Sequence, residues 1–345
     1  MESSWINKMN KLNIKDVVDT VYFNDYDKID MHRQMISDNI RTKSYRDFIY
    51  KNKHIFKDKI VLDVGCGTGI LSLFAAKSGA KKVIGIDGSN IIDQTNIIVK
   101  DNGYEDVITL VKGKAEEIDN LPDGIEKVDI ILHELMGHFL LFESSLNTVI
   151  YCRDKWLKPG GIIAPNEATM YLTAIEDEMY EEDINFWDNV YGFDMSTIKK
   201  TIPKSVDIRG GCDGDDMVCE TVSIKTIDLM SVKVEDLSFS SPFKLNAFRN
   251  GFVNAFMGFF SYSFTSGHIP ITVSTSPDDY PTHWCNALFY LTNNIVISEN
   301  EFIDGIISIN TNENYTRSID VGIDYKFNGK YQVINENKKF YGNRF

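Results

Sequence analysis

Apolar residues fall at about every third or fourth position through KIDMHRQMISDNIRTKSYRDFIYKN, the repeat of an α-helix with one buried face. From Lys59 the rhythm changes to short apolar runs: KIVLDVG, KKVIGID, DVITLVKG and KVDIILHEL, with the helical stretch ILSLFAAKSGA after the first. Strands alternating with helices predict βαβ units and a parallel sheet, because a parallel pair needs a crossover long enough to hold a helix. After KPGGIIAPN the texture changes again. TMYLTAIE, TVSIKTID, KVEDLSFSSPF, ITVSTSP, ALFYLTNNIVI, GIISIN and SIDVGIDYKF are rich in β-branched and aromatic residues and divided by Asn, Asp, Gly and Ser. They predict an antiparallel barrel or sandwich. EEDINFWDNVYGFDMSTIKK interrupts them and reads as a pair of short helices projecting from the sheet.

The expected organisation is a flexible helical segment at 1–26, a Rossmann-like α/β domain at 27–165 and an all-β domain at 166–345, with the helical insertion at 177–213. The length of 345 residues agrees with about two domains. Charge sharpens the picture: 36 Lys and Arg stand against 50 Asp and Glu, a net −14. That balance argues against direct nucleic-acid or membrane-surface binding, both of which need basic surface, and favours a cationic partner. The five cysteines are an odd number without a CxxC pair, which argues against a disulfide framework or a metal cluster. A reducing compartment, cytoplasm or nucleus, is expected. The N-terminus has no long apolar run, so it reads as no signal peptide, and nowhere does a run approach the ~18 residues of a membrane span.

The candidate chemistry starts at Val61-Leu62-Asp63-Val64-Gly65-Cys66-Gly67-Thr68-Gly69. A dinucleotide fingerprint would place Gly or Ala at position 70, which is Ile. Asp63 at the strand end would also repel a pyrophosphate, which argues against a nicotinamide-dependent oxidoreductase. It suits an ammonium and a sulfonium, the charges of S-adenosylmethionine. Asp87 ends the next strand, where this architecture grips a ribose, and Glu116 follows the third strand, suited to an adenine amine. Acids at successive strand ends therefore predict a site for S-adenosylmethionine and its product S-adenosylhomocysteine, with Gly65 and Gly67 in the turn.

The fourth strand runs into His133-Glu134-Leu135-Met136-Gly137-His138-Phe139-Leu140-Leu141-Phe142-Glu143-Ser144. Glutamates nine residues apart would not share a helical face, but a loop turning at Gly137 could bring both to one pocket. Two facing carboxylates repel unless a cation lies between them, and the planar fork of a guanidinium matches them.

With YFNDYDKIDMHRQMISDNIRT, VLDVGCGTG, ELMGHFLLFES, YCRDKWLKPGG, NVYGFDMS and Thr282-His283-Trp284, the chain from Tyr22 onward resembles the protein arginine N-methyltransferases, most of all the predominant type I enzyme. The resemblance implies a Rossmann-like S-adenosylmethionine-binding domain, a β-barrel domain and a helical dimerisation arm. It implies that an N-terminal segment with Tyr22, Phe23 and Tyr26 closes over the cofactor, and that His32, Arg41, Gly65, Asp87 and Glu116 bind it, with Arg41 on its carboxylate. Glu134 and Glu143 would hold the substrate guanidinium. His283 and Asp38 would carry the proton away. Tyr26, Met35, Met136, Ser145 and Trp284 would shape the substrate pocket. The implied substrates are arginine- and glycine-rich basic proteins, often RNA-binding, and the implied assembly is a homodimer or a heteromer with a related subunit; no metal is expected.

The chain also departs from the family pattern. Leu135 stands for the usual Trp, His133 for Ser, Ser145 for a second Met and Asp87 for Glu, while 118–126 and GGCDGDDMV look lengthened. A serine at 145 is expected to open volume in the pocket. These changes keep a second reading in view, a regulatory or scaffold subunit that needs a homologous partner for activity.

Overall fold

A computed structural model of the chain describes residues 14–201, 206–312 and 315–341. Its helices are α1 (Ile14–Tyr26), α2 (Ile29–Ser37), α3 (Asn39–Lys51), α4 (Lys53–Phe56), α5 (Ile70–Lys77), α6 (Ile91–Asp101), α7 (Leu146–Trp156) and α8 (Glu178–Asn185). Two expectations change at the start. Residues 14–26 of the leader form a docked helix, because Val18 and Tyr22, four apart on one face, are both buried; residues 1–13 lie outside the described residues. The long periodic helix is in fact α2 and α3, broken at Asp38. Asp38 is extended (φ −65°, ψ 98°) and caps α3 by accepting from the Arg41 amide. An aspartate competes with the helix backbone and prefers this N-cap position.

The parallel sheet comprises β1 (Ile60–Val64), β2 (Lys82–Asp87), β3 (Ile108–Lys112), β4 (Val128–His133) and β5 (Leu157–Ala164), in the order β3-β2-β1-β4-β5. All four pairings are parallel. β5 is the KPGGII stretch; its Pro and Gly hide it in the sequence, and such residues are tolerated on an edge strand. Strand order reverses between β1 and β4, and open α/β sheets bind ligands beyond the strand ends at that switch.

The second domain is antiparallel throughout. β6 (Glu167–Ile175), β7 (Asp207–Arg209), β8 (Val222–Asp228), β10 (Gly251–Phe264), β11 (Ile271–Ser274) and β12 (Asn286–Ile297) make one sheet; β9 (Phe239–Asn246), β13 (Phe302–Thr311), β14 (Ile319–Asn328) and β15 (Val333–Tyr341) make the other. The sheets close on a shared core in which Phe256 of β10 meets Phe243 of β9 and Tyr325 of β14, ring centroids 5.7 and 5.2 Å apart. Between the domains, Phe264 at the end of β10 stacks on Phe48 of α3 at 4.7 Å. The projecting arm contains α8 and short helical turns at Phe186–Asp188 and Ser196–Thr201. Asp207–Arg209, inside the range expected for the arm, already pairs with β12 as a barrel strand.

Candidate active site

The switch-point crevice is roofed by α1 and α2 and bounded on the barrel side by His283, Trp284 and Arg317. The glycine turn after β1 forms its floor, with Gly65, Gly67 and Gly69 all at positive φ. At Gly67 the requirement is double: φ is +51°, and a Cβ would sit 3.3 Å from the His32 ring. Asp87 holds this turn. One carboxylate oxygen accepts from the Gly67 amide (2.8 Å), the other from the Ser89 amide and hydroxyl (2.8 and 2.6 Å). It still lines the cavity, but a ribose would have to share oxygens already hydrogen-bonded to the backbone. Glu116 lines the cavity and accepts from Thr148 Oγ1 at 2.5 Å.

Two expected cofactor residues have protein partners of their own. Asp63 does not line the cavity: it is fully buried under the turn, where Oδ2 accepts from Ser72 Oγ (2.6 Å) and Oδ1 has no partner. Burial pushes its carboxyl up to about 6. Arg41, expected on the cofactor carboxylate, lines the cavity and gives Nε (2.6 Å) and Nη2 to Glu134 Oε2, and Nη1 to the Met35 carbonyl (3.1 Å). His32 is buried, with Nε2 2.7 Å from the Tyr26 carbonyl, so it pins the turn between α1 and α2.

The chain after β4 does fold both glutamates into one cavity. Residues Phe139, Leu140, Glu143 and Ser144 all have positive φ (46°, 63°, 72° and 52°). Non-glycine residues held there cost of order 1–3 kcal/mol each and persist only when packing over-determines them. The packing comes from Phe139 and Leu140, both buried, and from Trp284, whose Nε1 donates to the Met136 carbonyl (2.8 Å) while its own carbonyl accepts from His138 Nδ1 (2.7 Å). Trp284 and Met136 therefore brace the loop as well as lining the cavity.

The expected repulsion between the glutamates is unequally shared. Arg41 compensates Glu134, whereas the Glu143 carboxylate accepts from the Tyr26 hydroxyl (2.9 Å). Burial pushes Glu143 up to about 7; hydrogen bonds from Tyr26 and Tyr22 and the charge on Arg317 oppose the shift, and the charge on Glu134 adds to it. A carboxylate in this state is a receptor for a cation.

On the barrel side, His283 Nδ1 lies 2.8 Å from Asp38 Oδ2, which also accepts the His283 amide (2.9 Å). Burial raises the Asp38 carboxyl, but the hydrogen bonds from His283 and Arg41 outweigh it and hold Asp38 below the ordinary range. The helix break at Asp38 is what lets one carboxylate cap α3 and face the barrel. Met35 and Ser145 also line the cavity, but the volume expected at Ser145 is filled by the Tyr22 hydroxyl (3.2 Å) and by Arg317 Nη1 (3.4 Å). His133 is buried and faces the Pro165 carbonyl (2.9 Å), away from the cavity. Arg317 is the functional-site residue that sequence reasoning missed, since the loop around it carries no motif. Among the described residues no group of three or more His, Cys, Asp or Glu is placed to hold a metal ion.

The residues fit S-adenosylmethionine: a glycine cradle that a Cβ would fill, acids at two strand ends facing the cavity, and an orphaned carboxylate oxygen below the turn. A Rossmann-like fold with this site defines an S-adenosylmethionine-dependent methyltransferase. Comparison with known proteins agrees and narrows the class. Residues 61–161 match the model of a methyltransferase domain and residues 166–330 that of the arginine methyltransferase oligomerization subdomain. Protein arginine N-methyltransferase 1 of Chlamydomonas reinhardtii is 46% identical over 322 residues, 92% of each chain, and that of Caenorhabditis elegans is 43% identical over 92% of each. Among solved structures, the Trypanosoma brucei PRMT1 enzyme-prozyme heterotetrameric complex with AdoHcy superimposes with a TM-score of 0.87 at 41% identity, over 92% of this chain and 99% of that one. The chain belongs to the protein arginine N-methyltransferase family.

Proposed function

We propose that this enzyme methylates arginine side chains of basic, arginine- and glycine-rich proteins as a type I enzyme, giving mono- and asymmetric dimethylarginine. The observation that carries this is the pair of glutamates in one cavity, one paired with Arg41 and the other accepting from the Tyr26 hydroxyl. A substrate guanidinium lying between them donates N–H groups to both carboxylates, which draws its positive charge to that side and leaves lone-pair density on the remaining terminal nitrogen. Bound S-adenosylmethionine supplies an electrophilic methyl group on its sulfonium. Gly65, Gly67, Asp87 and Glu116 hold it, with Asp63 acting from beneath the turn and His32 fixing the closed segment. Orientation and fixed charge carry most of the acceleration.

The proton released from the guanidinium goes to His283. In the neutral ring Nδ1–H donates to Asp38, which leaves Nε2 as the accepting atom. Met35 on the cavity wall supports the type I reading, and the Tyr22 hydroxyl and Arg317 beside Ser145 keep that wall closed. The acidic excess of the chain attracts basic substrate tails. The arm exposes Met179, Phe186, Tyr191 and Phe193, with Tyr191 95% exposed, while Ile14, Val17, Val21 and Ile29 lie exposed on α1 and α2. Apolar surface of this extent fits burial of the arm on a second copy or a related subunit.

The test is mass spectrometry of an arginine- and glycine-rich peptide incubated with S-adenosylmethionine and the protein, alone and with cell extract. Asymmetric dimethylarginine from the protein alone supports the proposal; methylation only with extract favours a partner-dependent subunit, and none in either case overturns it. The pH dependence is a second check. Below about 7 Glu143 becomes protonated and neutral, so kcat/KM for the peptide is expected to fall up to roughly tenfold per pH unit. A profile flat down to pH 5.5 would show that Glu143 stays ionised there, against the raised carboxyl.

A further inference from the structure

The loop between β13 and β14 carries Arg317, whose backbone carbonyl accepts the Glu143 amide (2.8 Å) and whose Nη1 donates to the Glu143 carbonyl (3.3 Å) and Ser145 Oγ (3.4 Å). The same guanidinium turns its Nε to Asp19 Oδ1 of α1 (3.0 Å) and lies over the Tyr22 ring at 4.2 Å. The second oxygen of Asp19 takes Lys114 Nζ (2.6 Å), from the turn after β3. Asp19 thus joins α1 to one cation from each domain, and one of those cations also grips the Glu143 peptide unit. Glu143 and Ser144 are held at positive φ, so their conformation needs an outside anchor.

We propose that Arg317 is a positioning residue that couples docking of α1 over the cofactor site to the substrate-binding conformation of Glu143. The proposal rests on the reading of Glu143 as the guanidinium receptor, and it explains how enclosure of the methyl donor readies the acceptor site. A lysine cannot replace the residue, because one ammonium lacks the planar fork that reaches two partners in fixed directions.

Asp19 is absent from the lining of the cavity that holds both glutamates, which makes it the informative partner. Wild type, Asp19→Asn, Arg317→Lys and the double variant are compared by calorimetric titration with S-adenosylhomocysteine, by steady-state kinetics on an arginine- and glycine-rich peptide, and by thermal unfolding. Each single variant is expected to weaken S-adenosylhomocysteine binding and to lower peptide kcat/KM by about five- to tenfold, with the double variant no worse than Arg317→Lys, as for residues in one network. If Arg317→Lys does not fold, Asp19→Asn decides alone. Peptide kcat/KM unchanged in Asp19→Asn, or losses that multiply in the double variant, would overturn the coupling; an effect of Arg317→Lys on the peptide with unchanged cofactor affinity would reduce Arg317 to a brace of the loop. A wild type that binds S-adenosylhomocysteine yet methylates no arginine peptide would instead overturn the functional reading, while the titrations still report on the Asp19–Arg317 latch.

Discussion

Glu143→Gln lowers kcat for methylation of an arginine peptide by about 10³-fold and leaves S-adenosylhomocysteine binding little changed. The amide keeps the size and the Tyr26 contact but removes the charge that faces the guanidinium, and removing one partner of a buried charge pair costs about 3–5 kcal/mol. Stability moves the other way. The folded carboxyl is raised to about 7, above its ordinary value of 4.5, so its stabilising contribution is complete below 4.5 and is lost as pH rises through 7. Without ligands the wild type therefore gives up at most about 3 kcal/mol across that window, an upper bound because the carboxylate faces a solvated cavity. The glutamine variant escapes this, so denaturant unfolding should find it more stable than wild type at pH 8 and not at pH 4.5. Turnover within tenfold of wild type would refute the two-glutamate mechanism, whatever the stability result.

Gly137→Ala is expected to abolish detectable turnover and to destabilise the protein by about 2–4 kcal/mol, since overpacking against rigid backbone is among the few routes to large losses. A Cβ at this position would lie 2.6 Å from the carbonyl carbon of Phe142 and overlap its oxygen. The loop closes on itself there: the Gly137 amide donates to the Leu140 carbonyl (3.1 Å), and Phe142 precedes Glu143 directly. Relief requires the second half of the loop to move away from the first, which separates Glu143 from Glu134. Because the glycine turn after β1 is untouched, S-adenosylhomocysteine binding should survive in the folded fraction. Unfolding curves and single-turnover assays check both parts, and an active variant of normal stability would show that the loop can form with a side chain at 137.

The legibility of the fold followed the surroundings of each element. Four strands of the parallel sheet were readable because glycines and acids punctuate them. The longest strand, β10, was not, although it lies at the centre of its sheet: GFVNAFMGFFSYSF is buried on both faces, so it shows no alternation, and its glycines look like breaks. β15 escaped for the opposite reason, being an edge strand whose NENKK core has little strand propensity. Arg317 left no trace in the sequence, because its role depends on α1 and the Glu143 loop, 298 and 174 residues away in sequence.

By itself, the sequence determined the class of chemistry: a sulfonium-type cofactor from the glycine turn and its acids, a cationic acceptor from the paired glutamates, and two domains from a change in apolar period. Those properties are local, set by residue type and short spacing. The tertiary structure decided who pairs with whom. It placed Arg41 on Glu134, withdrew Asp63 beneath the turn, filled the space beside Ser145 and set the Glu143 carboxylate on the Tyr26 hydroxyl. The reason is that burial and charge compensation depend on distances between segments far apart in the chain, and these exist only once the barrel has closed against the parallel sheet.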